Sequence, residues 1–577
     1  MNVCEVLLDI LAEFGVKNIF GIPGDAINEL IEAIRKQDAI KFIHVMHEES
    51  GAFAASAQAK LTGELAVCAG TAGPGAIHLL NGLYDAKMDH APVLAITGQV
   101  ATSLIGSAYH QEVDLRSLFQ DVTVYNQTII NAEQMPELAI SACQTALSKS
   151  GVAHINIPSD ISVQKVRGFT RAKEIARNRS RVVPHRDDLT RAADLINRSE
   201  KPCILAGIGA REAIHELLQF AEVIKAPIIK SLRGKDLLPD THPLTLGGLG
   251  LLGTKPSLKA IKNCDLLIAV GTDFPYHDFY PDHTIPTIQI DRESHHIGRR
   301  HTVTNPLVGD TKLTLLELLP LVSEHGNTSF LEVCQTQMQE WLNDQNKIDS
   351  SDDTPIHPQA LARKISDFAD DDAVICCDTG AVTVWGARNF RIKESQRFTL
   401  SGGLASMGFA LPAAIGAKLM FPQKQVIAMC GDGGFAMLMC DFATAIKYGL
   451  NIKIFIFNNS KLGLIQMEQE AASGNPESET SLHDPDFALF AKICGGEGYT
   501  VTEEAGLEST IQLALRSDQP CIINVFVDPE ELTMPPAVSA KQTFNYVKAK
   551  IKEYFITNKN ENRFLYRKTP LVQVLGF

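Results

Sequence analysis

Short apolar runs alternate with helical stretches three times over in this chain of 577 residues. That alternation restricts the fold more than any other feature, because it implies parallel α/β architecture. The first segment, residues 1–175, holds apolar runs at Phe42–Met46, Leu65–Cys68 and Pro92–Thr97. The second, 189–325, holds them at Pro202–Ala206, Pro227–Lys230, Leu266–Val270 and Thr287–Ile290. Each of these ends near Gly, Asp or Arg, at the carboxyl edge where open sheets gather ligands. The third, 359–530, has Ala373–Cys377, Val426–Cys430, Ile452–Phe457 and Cys521–Val527. The expected fold class is α/β, with three doubly wound parallel-sheet domains and a C-terminal tail over 531–577. A basic stretch, Thr170–Asp187, and a polar one, Ser323–Pro358, read as linkers, the latter helical around Phe330–Leu342.

No apolar run approaches the roughly 20 residues needed to span a bilayer. Met1–Gly15 lacks the basic start and small-residue cleavage site of a secretion signal. It reads as an amphipathic helix with Val3, Val6, Leu7, Ile10, Leu11 and Phe14 on one face, and a cytoplasmic location is expected. A net charge of −14 argues against nucleic-acid partners, which demand a basic surface. The 12 cysteines form no CxxC pair, and adjacent Cys376 and Cys377 would point to opposite faces of a strand. Buried free thiols in a reducing compartment are expected.

The strongest local signal is Cys430-Gly431-Asp432-Gly433-Gly434, followed after one helix and one strand by Asn458-Asn459. An apolar strand delivers Asp432 to its carboxyl end, and the glycines let backbone approach a phosphate closely. A helix beginning near Phe435 would offer N–H groups and its positive dipole end to that phosphate. The next strand brings Asn459 beside Asp432. Two oxygen ligands then converge on a Mg²⁺ that a diphosphate and water can complete. A second signal is Phe42-Ile43-His44-Val45-Met46-His47-Glu48-Glu49, where a strand gives way to a helix at an acidic pair.

Together these residues resemble the thiamine-diphosphate (ThDP)-dependent decarboxylase family, whose signature is GDG followed by NN. Further elements match in order: Gly21-Ile22-Pro23-Gly24-Asp25, Thr71-Ala72-Gly73-Pro74-Gly75 and Ala405-Ser406-Met407. The resemblance covers about residues 3–535 and lies within the pyruvate oxidase and acetolactate synthase group. Phrases such as LRGK, FPY, TVWGAR and CGDGGFAMLM are most similar to its quinone-linked, acetate-forming pyruvate dehydrogenase branch.

The resemblance implies that Asp432, Asn459 and the Lys461 carbonyl hold the metal. Gly380, Ala405, Ser406, Met407, Gly433, Gly434, Ser460, Leu462, Gly463, Leu464 and Ile465 would surround the cofactor, with Met407 beneath it. Glu48 would be the catalytic acid, sharing a proton with the aminopyrimidine from an apolar pocket. Glu49 would be a helix-start acid. The two ends of the cofactor lie on different subunits in this family, so a homo-oligomer is implied, at least a dimer and expected as a tetramer.

For the middle domain the resemblance implies FAD. Its candidates are Arg233, Gly250, Leu251, Leu252, Gly253, Asp273, Phe274, Pro275, Tyr276, His277, Asp291, Arg292 and Asp310. Arg233 can meet a diphosphate and Asp291 can accept from ribose hydroxyls. Ordinary Rossmann-type dinucleotide binding is not expected. Two departures fall near substrate and flavin: His110, beside Gln111, and Leu464 each stand where relatives carry Phe.

The reaction implied is oxidative decarboxylation of pyruvate or a similar 2-oxo acid to acetate and CO₂, with ubiquinone or, alternatively, O₂ as electron acceptor. An acetolactate synthase-type carboligase with structural FAD, or a non-catalytic ThDP-binding scaffold, are the alternatives. Residues 541–577 hold eight basic residues against Glu553 and Glu561, with Phe544, Val547, Ile551 and Phe555 at helical spacing. That pattern fits reversible attachment to anionic lipid, on the inner face of the membrane, or docking on the protein's own acidic surface.

Overall fold

Eighteen strands form the three sheets in the computed structural model, which describes residues 1–169, 181–349, 355–483, 485–531, 533, 535–536 and 540–560. The first sheet contains β1 (Asn18–Gly21), β2 (Lys41–His44), β3 (Ala66–Gly70), β4 (Val93–Gln99), β5 (Tyr125–Thr128) and β6 (Val152–Pro158). The second contains β7 (Pro202–Ala206), β8 (Ile228–Lys230), β9 (Thr245–Gly248), β10 (Leu266–Val270), β11 (Thr287–Asp291) and β12 (Asn305–Val308). The third contains β13 (Val374–Cys377), β14 (Arg397–Leu400), β15 (Val426–Gly431), β16 (Ile452–Asn458), β17 (Glu497–Val501) and β18 (Cys521–Phe526).

Every pairing within the sheets is parallel. The strand orders are β2-β1-β3-β4-β6-β5, β12-β11-β10-β7-β8-β9 and β14-β13-β15-β16-β18-β17. Helices cover both faces, which is why the central strands are continuous apolar runs rather than alternating ones. Cys376 and Cys377 do point to opposite faces: Cys377 packs with Trp385 and Phe390, Cys376 with Phe53 and Phe409. All 12 cysteines are free thiols; Cys440 is exposed and Cys494 half-buried, and the others are buried as expected.

The middle sheet has the 3-2-1-4-5-6 order of dinucleotide-binding domains, and its glycine spacing Gly248-Leu249-Gly250-Leu251-Leu252-Gly253 follows β9 rather than the first strand, β7. The fingerprint reports one loop, whereas strand order follows from the crossovers.

Several local boundaries differ from expectation. The helix after β15 begins at Asp432, not near Phe435, because Gly431 already serves as its N-cap. β2 is an edge strand with a half-exposed pattern, not a buried one. The second linker carries a helix over Ser329–Asp349, longer than Phe330–Leu342, and residues 350–354 lie outside the described residues. Of the first linker, 170–180 lie outside them, and a helix already begins at Arg186. The N-terminal helix runs Val3–Glu13, closed by an Asn2 capping box, and all six residues of its expected face are buried.

The first and third sheets are joined through helix Glu48–Thr62, which packs on helix Ala410–Met420. Phe53 meets Phe409 edge-on at 5.7 Å. The approach is so close that a side chain at Gly416 would fall 2.4 Å from the Ala54 carbonyl oxygen. Lys60, on the same helix, pairs with buried Asp85 and Asp89 at 2.6 Å each.

Candidate functional site

The strand order of the third sheet reverses between β13 and β15, and there its carboxyl edge opens on a cleft of about 250 Å³. Ligands of doubly wound sheets collect at such switch points. Gly380, Ala405, Met407, Asp432, Gly433, Gly434, Asn459, Lys461, Leu462, Gly463, Leu464 and Ile465 all line it. Ser406 and Ser460 are not among the lining residues.

Asp432 is the first residue of its helix and is 3 % exposed. β16 runs beside β15 in a register that pairs Gly431 with Phe457, so Asn459 emerges next to the Asp432 loop. The two asparagines have different roles. Asn458 is buried, donates to Asn524 Oδ1 at 3.1 Å and accepts the Ser460 N–H. Asn459 faces the cleft, and its Oδ1 accepts the Lys461 N–H at 3.2 Å. The Lys461 ammonium is engaged by Glu477 (3.2 Å) and Glu530 (3.0 Å), so only its backbone can serve a metal. Asp432 and Asn459 with that carbonyl make an all-oxygen set, the kind Mg²⁺ prefers.

The cleft also fits a phosphate group. A side chain at Gly380 or Gly431 would meet nothing within 4 Å, so their backbones border open space. Beneath them Asp378 is fully buried. Its Oδ1 accepts N–H donors from Thr379 (2.8 Å) and Phe409 (3.2 Å), and its Oδ2 has no partner among the described residues. Burial pushes this carboxyl up to about 7 against those donors. Gly434 is required here, since a side chain would lie 2.7 Å from Asp378 Oδ2. Trp385 and the rim residues Pro358, Asp528 and Glu531 line the cleft, and Asp378 lies beneath it against Gly434; sequence reasoning missed all five. An Asp directly after a buried strand and two residues before a glycine was the available signal for Asp378.

Glu48 begins helix Glu48–Thr62, capped by His47, and does not line the cleft of its own chain. It is 7 % exposed, but its nearest polar neighbour is an imidazole: His78 Nδ1 lies 3.0 Å from Glu48 Oε2. His78 in turn stacks on His47 at 4.5 Å. The pocket is therefore mixed rather than apolar. Glu49 accepts from Asn81 Nδ2 at 2.6 Å, and the same amide donates to Ser406 Oγ at 3.0 Å, tying the acid pair to the third domain. His110 is exposed and Gln111 half-buried, on a loop that covers Gly73; neither lines the cleft.

The flavin candidates fall into three groups. Arg233 sits where the three domains meet, paired with Asp273 (2.5 Å) and Asp89 (3.5 Å) and against Gly402. Burial raises the Asp273 carboxyl, but His90 and Arg233 outweigh it and hold it well below the usual range. Gly250 lies against the Phe274 ring and Tyr276, so two separate loops come together. Phe274 is buried, Tyr276 is half exposed, and Pro275 and His277 are exposed. The carbonyls of Leu251, Leu252 and Gly253 accept from Arg388 of the third domain, and Leu252 and Leu464 both pack on the third domain's core. Of the remaining three, Asp291 connects to the first group through His296, whose ring lies 5.4 Å from that of His90 beside Asp273. Asp291 accepts the Glu293 N–H and faces His296, Asp310 caps helix Thr311–Leu318, and Arg292 reaches Ser150 in the first domain.

The tail forms helix Ala540–Asn560, docked on the protein's own acidic elements. Lys550 pairs with Glu470 (2.8 Å), Glu530 (3.3 Å) and Glu553 (3.1 Å). Burial raises the Glu470 carboxyl against that ammonium. Phe544 and Ile551, from the expected apolar stripe, stay 68 % and 50 % exposed. The side chains of Phe555 and Lys559 and all of 561–577 lie outside the described residues. Among the described residues no helix is long and apolar enough to cross a membrane.

The chain matches known proteins in each of its three domains. Residues 1–118, 189–318 and 378–525 match, respectively, the N-terminal TPP binding, central and C-terminal TPP binding domains of thiamine pyrophosphate enzymes. The chain is 44% identical to the thiamine pyrophosphate-containing protein YdaP of Bacillus subtilis, over 96% of this chain and 97% of that one. It is 32% identical to pyruvate oxidase of Lactiplantibacillus plantarum, over 90% and 88% of the two chains. It is 31% identical to acetolactate synthase of Mycobacterium bovis, over 92% and 89%. With all three domains matched and Gly431, Asp432, Gly433 and Asn459 gathered in one cleft, the chain belongs to the thiamine pyrophosphate enzyme family.

Proposed function

We propose that this protein oxidatively decarboxylates pyruvate, or a similar small 2-oxo acid, to acetate and CO₂, using ThDP, Mg²⁺ and FAD and passing electrons to ubiquinone. The observation that carries the reading is the meeting of two sites. The Gly250–Gly253 loop is held by Arg388 beside the cleft, and Leu252 packs on the same core as Leu464 of the cofactor loop. A flavin held by that loop would lie close to the cleft, as electron transfer between cofactors requires.

When bound, the thiazolium supplies an electron sink for loss of CO₂ and the flavin a two-electron acceptor. Asp432, Asn459 and the Lys461 carbonyl hold the metal, and Gly380, Gly433 and Gly434 let backbone N–H groups reach the diphosphate. Met407 supports the cofactor from below. Glu48, with His78 Nδ1 3.0 Å from its Oε2, would hold the proton at the aminopyrimidine. Because Glu48 does not line the cleft of its own chain, the reading requires a second copy to supply it, hence a homodimer at least and a tetramer as expected. His110, Gln111 and Leu464 would border the substrate and set its size.

The tail supports a second element of the reading. Its helix docks through Asn545, Ala549 and Lys550, leaving Phe544 and Ile551 outward with Lys541 and Lys548 exposed near them. An apolar stripe flanked by lysines suits the surface of an anionic membrane, where ubiquinone resides.

Pyruvate added without oxygen to the ThDP-, Mg²⁺- and FAD-loaded protein tests this directly. Bleaching of the flavin, reversed by a soluble quinone with acetate as product, is the expected result. Acetolactate accumulating without bleaching would replace it with the carboligase reading. Reoxidation by O₂ in preference to quinone would replace only the acceptor.

A further inference from the structure

At the rim of the cleft, two stretches distant in sequence bring one imidazole and two carboxylates together. His357 Nδ1 lies 3.0 Å from Glu531 Oε2. One ligand atom from each of His357, Asp528 and Glu531 lies within 4.8 Å of the other two. A short parallel bridge arranges this: Ile356 pairs with Val527, and the Asp528 N–H donates to the Ile356 carbonyl at 2.9 Å. The Glu530 N–H then donates to Asp528 Oδ1 at 2.9 Å, turning the chain so that Glu531 returns toward His357.

A simple ion pair does not account for the whole group. Two carboxylates facing one imidazole leave it negative at neutral pH whether or not the imidazole is protonated. Among the described residues no Lys or Arg pairs with Asp528 or Glu531. Gln359 adds an independent sign. It is 5 % exposed, its Nε2 donates to Glu531 Oε1 at 2.7 Å, and its own Oε1 has no partner among the described residues. A half-turn of that amide would present the oxygen to the group in place of the nitrogen.

We propose that His357, Asp528 and Glu531 form a binding site for one zinc-type divalent cation, separate from the Mg²⁺ set of Asp432, Asn459 and Lys461. The donors decide the class: an imidazole with two carboxylates suits zinc and its first-row neighbours, whereas Mg²⁺ favours oxygens alone. Three protein ligands leave a fourth position for water or Gln359 Oε1. The cation fastens segment 527–531 to the start of helix Pro358–Phe368. Glu530 in that segment pairs with Lys461, so the fastening bears on the loop that holds the cofactor metal.

Zinc titrated calorimetrically into the full chain at neutral pH, with ThDP and Mg²⁺ saturating, provides the test. One site per chain is expected, weakened at least about 10-fold in His357→Ala and in Glu531→Gln, and weakened again as pH falls and protons compete for the imidazole. Each variant is first checked for its tryptophan fluorescence change on ThDP·Mg²⁺ binding. Should His357→Ala fail that check, His357→Gln, which keeps a polar side chain but loses the ring nitrogen, is titrated in its place. No zinc binding by the wild type, or equal binding by wild type and variants, overturns the proposal and leaves an ion pair.

Discussion

The first and third sheets share one strand order, yet their equivalent loops behave in opposite ways. In the first, the switch point between β1 and β3 is closed by its own residues. A side chain at Gly24 would lie 2.5 Å from Thr71, whose hydroxyl donates to Asp25 and accepts the Ala26 N–H. In the third, Gly380 stands where Gly24 does, and Asp432 where Thr71 does, yet Gly380 and Gly431 face open space. Glycine thus serves two ends on one scaffold: close packing in the first sheet, room for a ligand in the third. Strand order provides a place for a site, and the residues around it decide whether one exists.

The comparison can be broken most severely at the acids. Asp432→Ala is expected to abolish ThDP·Mg²⁺ binding, with a loss beyond the roughly 100-fold typical of residues that only support a ligand; fluorescence titration measures it. Thr71→Ala, at the matching place in the first sheet, should leave that affinity close to wild type. If both variants lose binding equally, the contrast between an open and a closed switch point is wrong.

Glu48→Gln separates the two domains in another way. Turnover should fall by roughly 10²–10⁴-fold, as for loss of a general acid–base group, while the affinity for ThDP·Mg²⁺ is retained. Steady-state kinetics beside the same titration would show this.

A subtler pair concerns the glycines. Gly70→Ala places a side chain 2.3 Å from the Gly75 carbonyl oxygen, and should cost about 1–3 kcal/mol of stability as an overpacked site. Gly431→Ala meets nothing within 4 Å, so urea unfolding should be nearly unchanged while cofactor affinity drops.

The smallest effect concerns pH. Buried Asp378 titrates near 7, above its unfolded value, so the folded state binds the extra proton. Its contribution therefore makes stability fall as pH rises from about 4 to about 7. Asp378→Asn should flatten that part of the urea-midpoint profile relative to wild type; at the matching place in the first sheet, two residues before Gly24, stands Ile22, which has no proton to bind.

Much of the site was legible because its signals are local. β15 is an apolar run ending in Gly431-Asp432-Gly433-Gly434, and β16 ends in two asparagines; each element carries its own strand and its own breaker. Edge strands were harder to read. Tyr125–Thr128 and Glu497–Val501 lie at sheet edges, where one side is unpaired and polar residues are tolerated, so neither stands out as an apolar run. The tail stripe Phe544, Val547 and Ile551 was visible as a pattern, but a pattern does not say which face docks. The ion pairs of Lys550 decided that, and they left Phe544 and Ile551 outward with Val547 half-buried.

By itself, the sequence determined the α/β class, the order of three segments and the residues able to hold a metal and a diphosphate. These follow from hydrophobic period, strand-end glycines and donor chemistry within a few residues of each other. Only the tertiary structure decided which glycine loops stay open, that Glu48 lies against His78 outside its own chain's cleft, and that His357 meets Asp528 and Glu531. Those outcomes depend on long-range packing, where strand register and helix crossings set distances that no local pattern encodes.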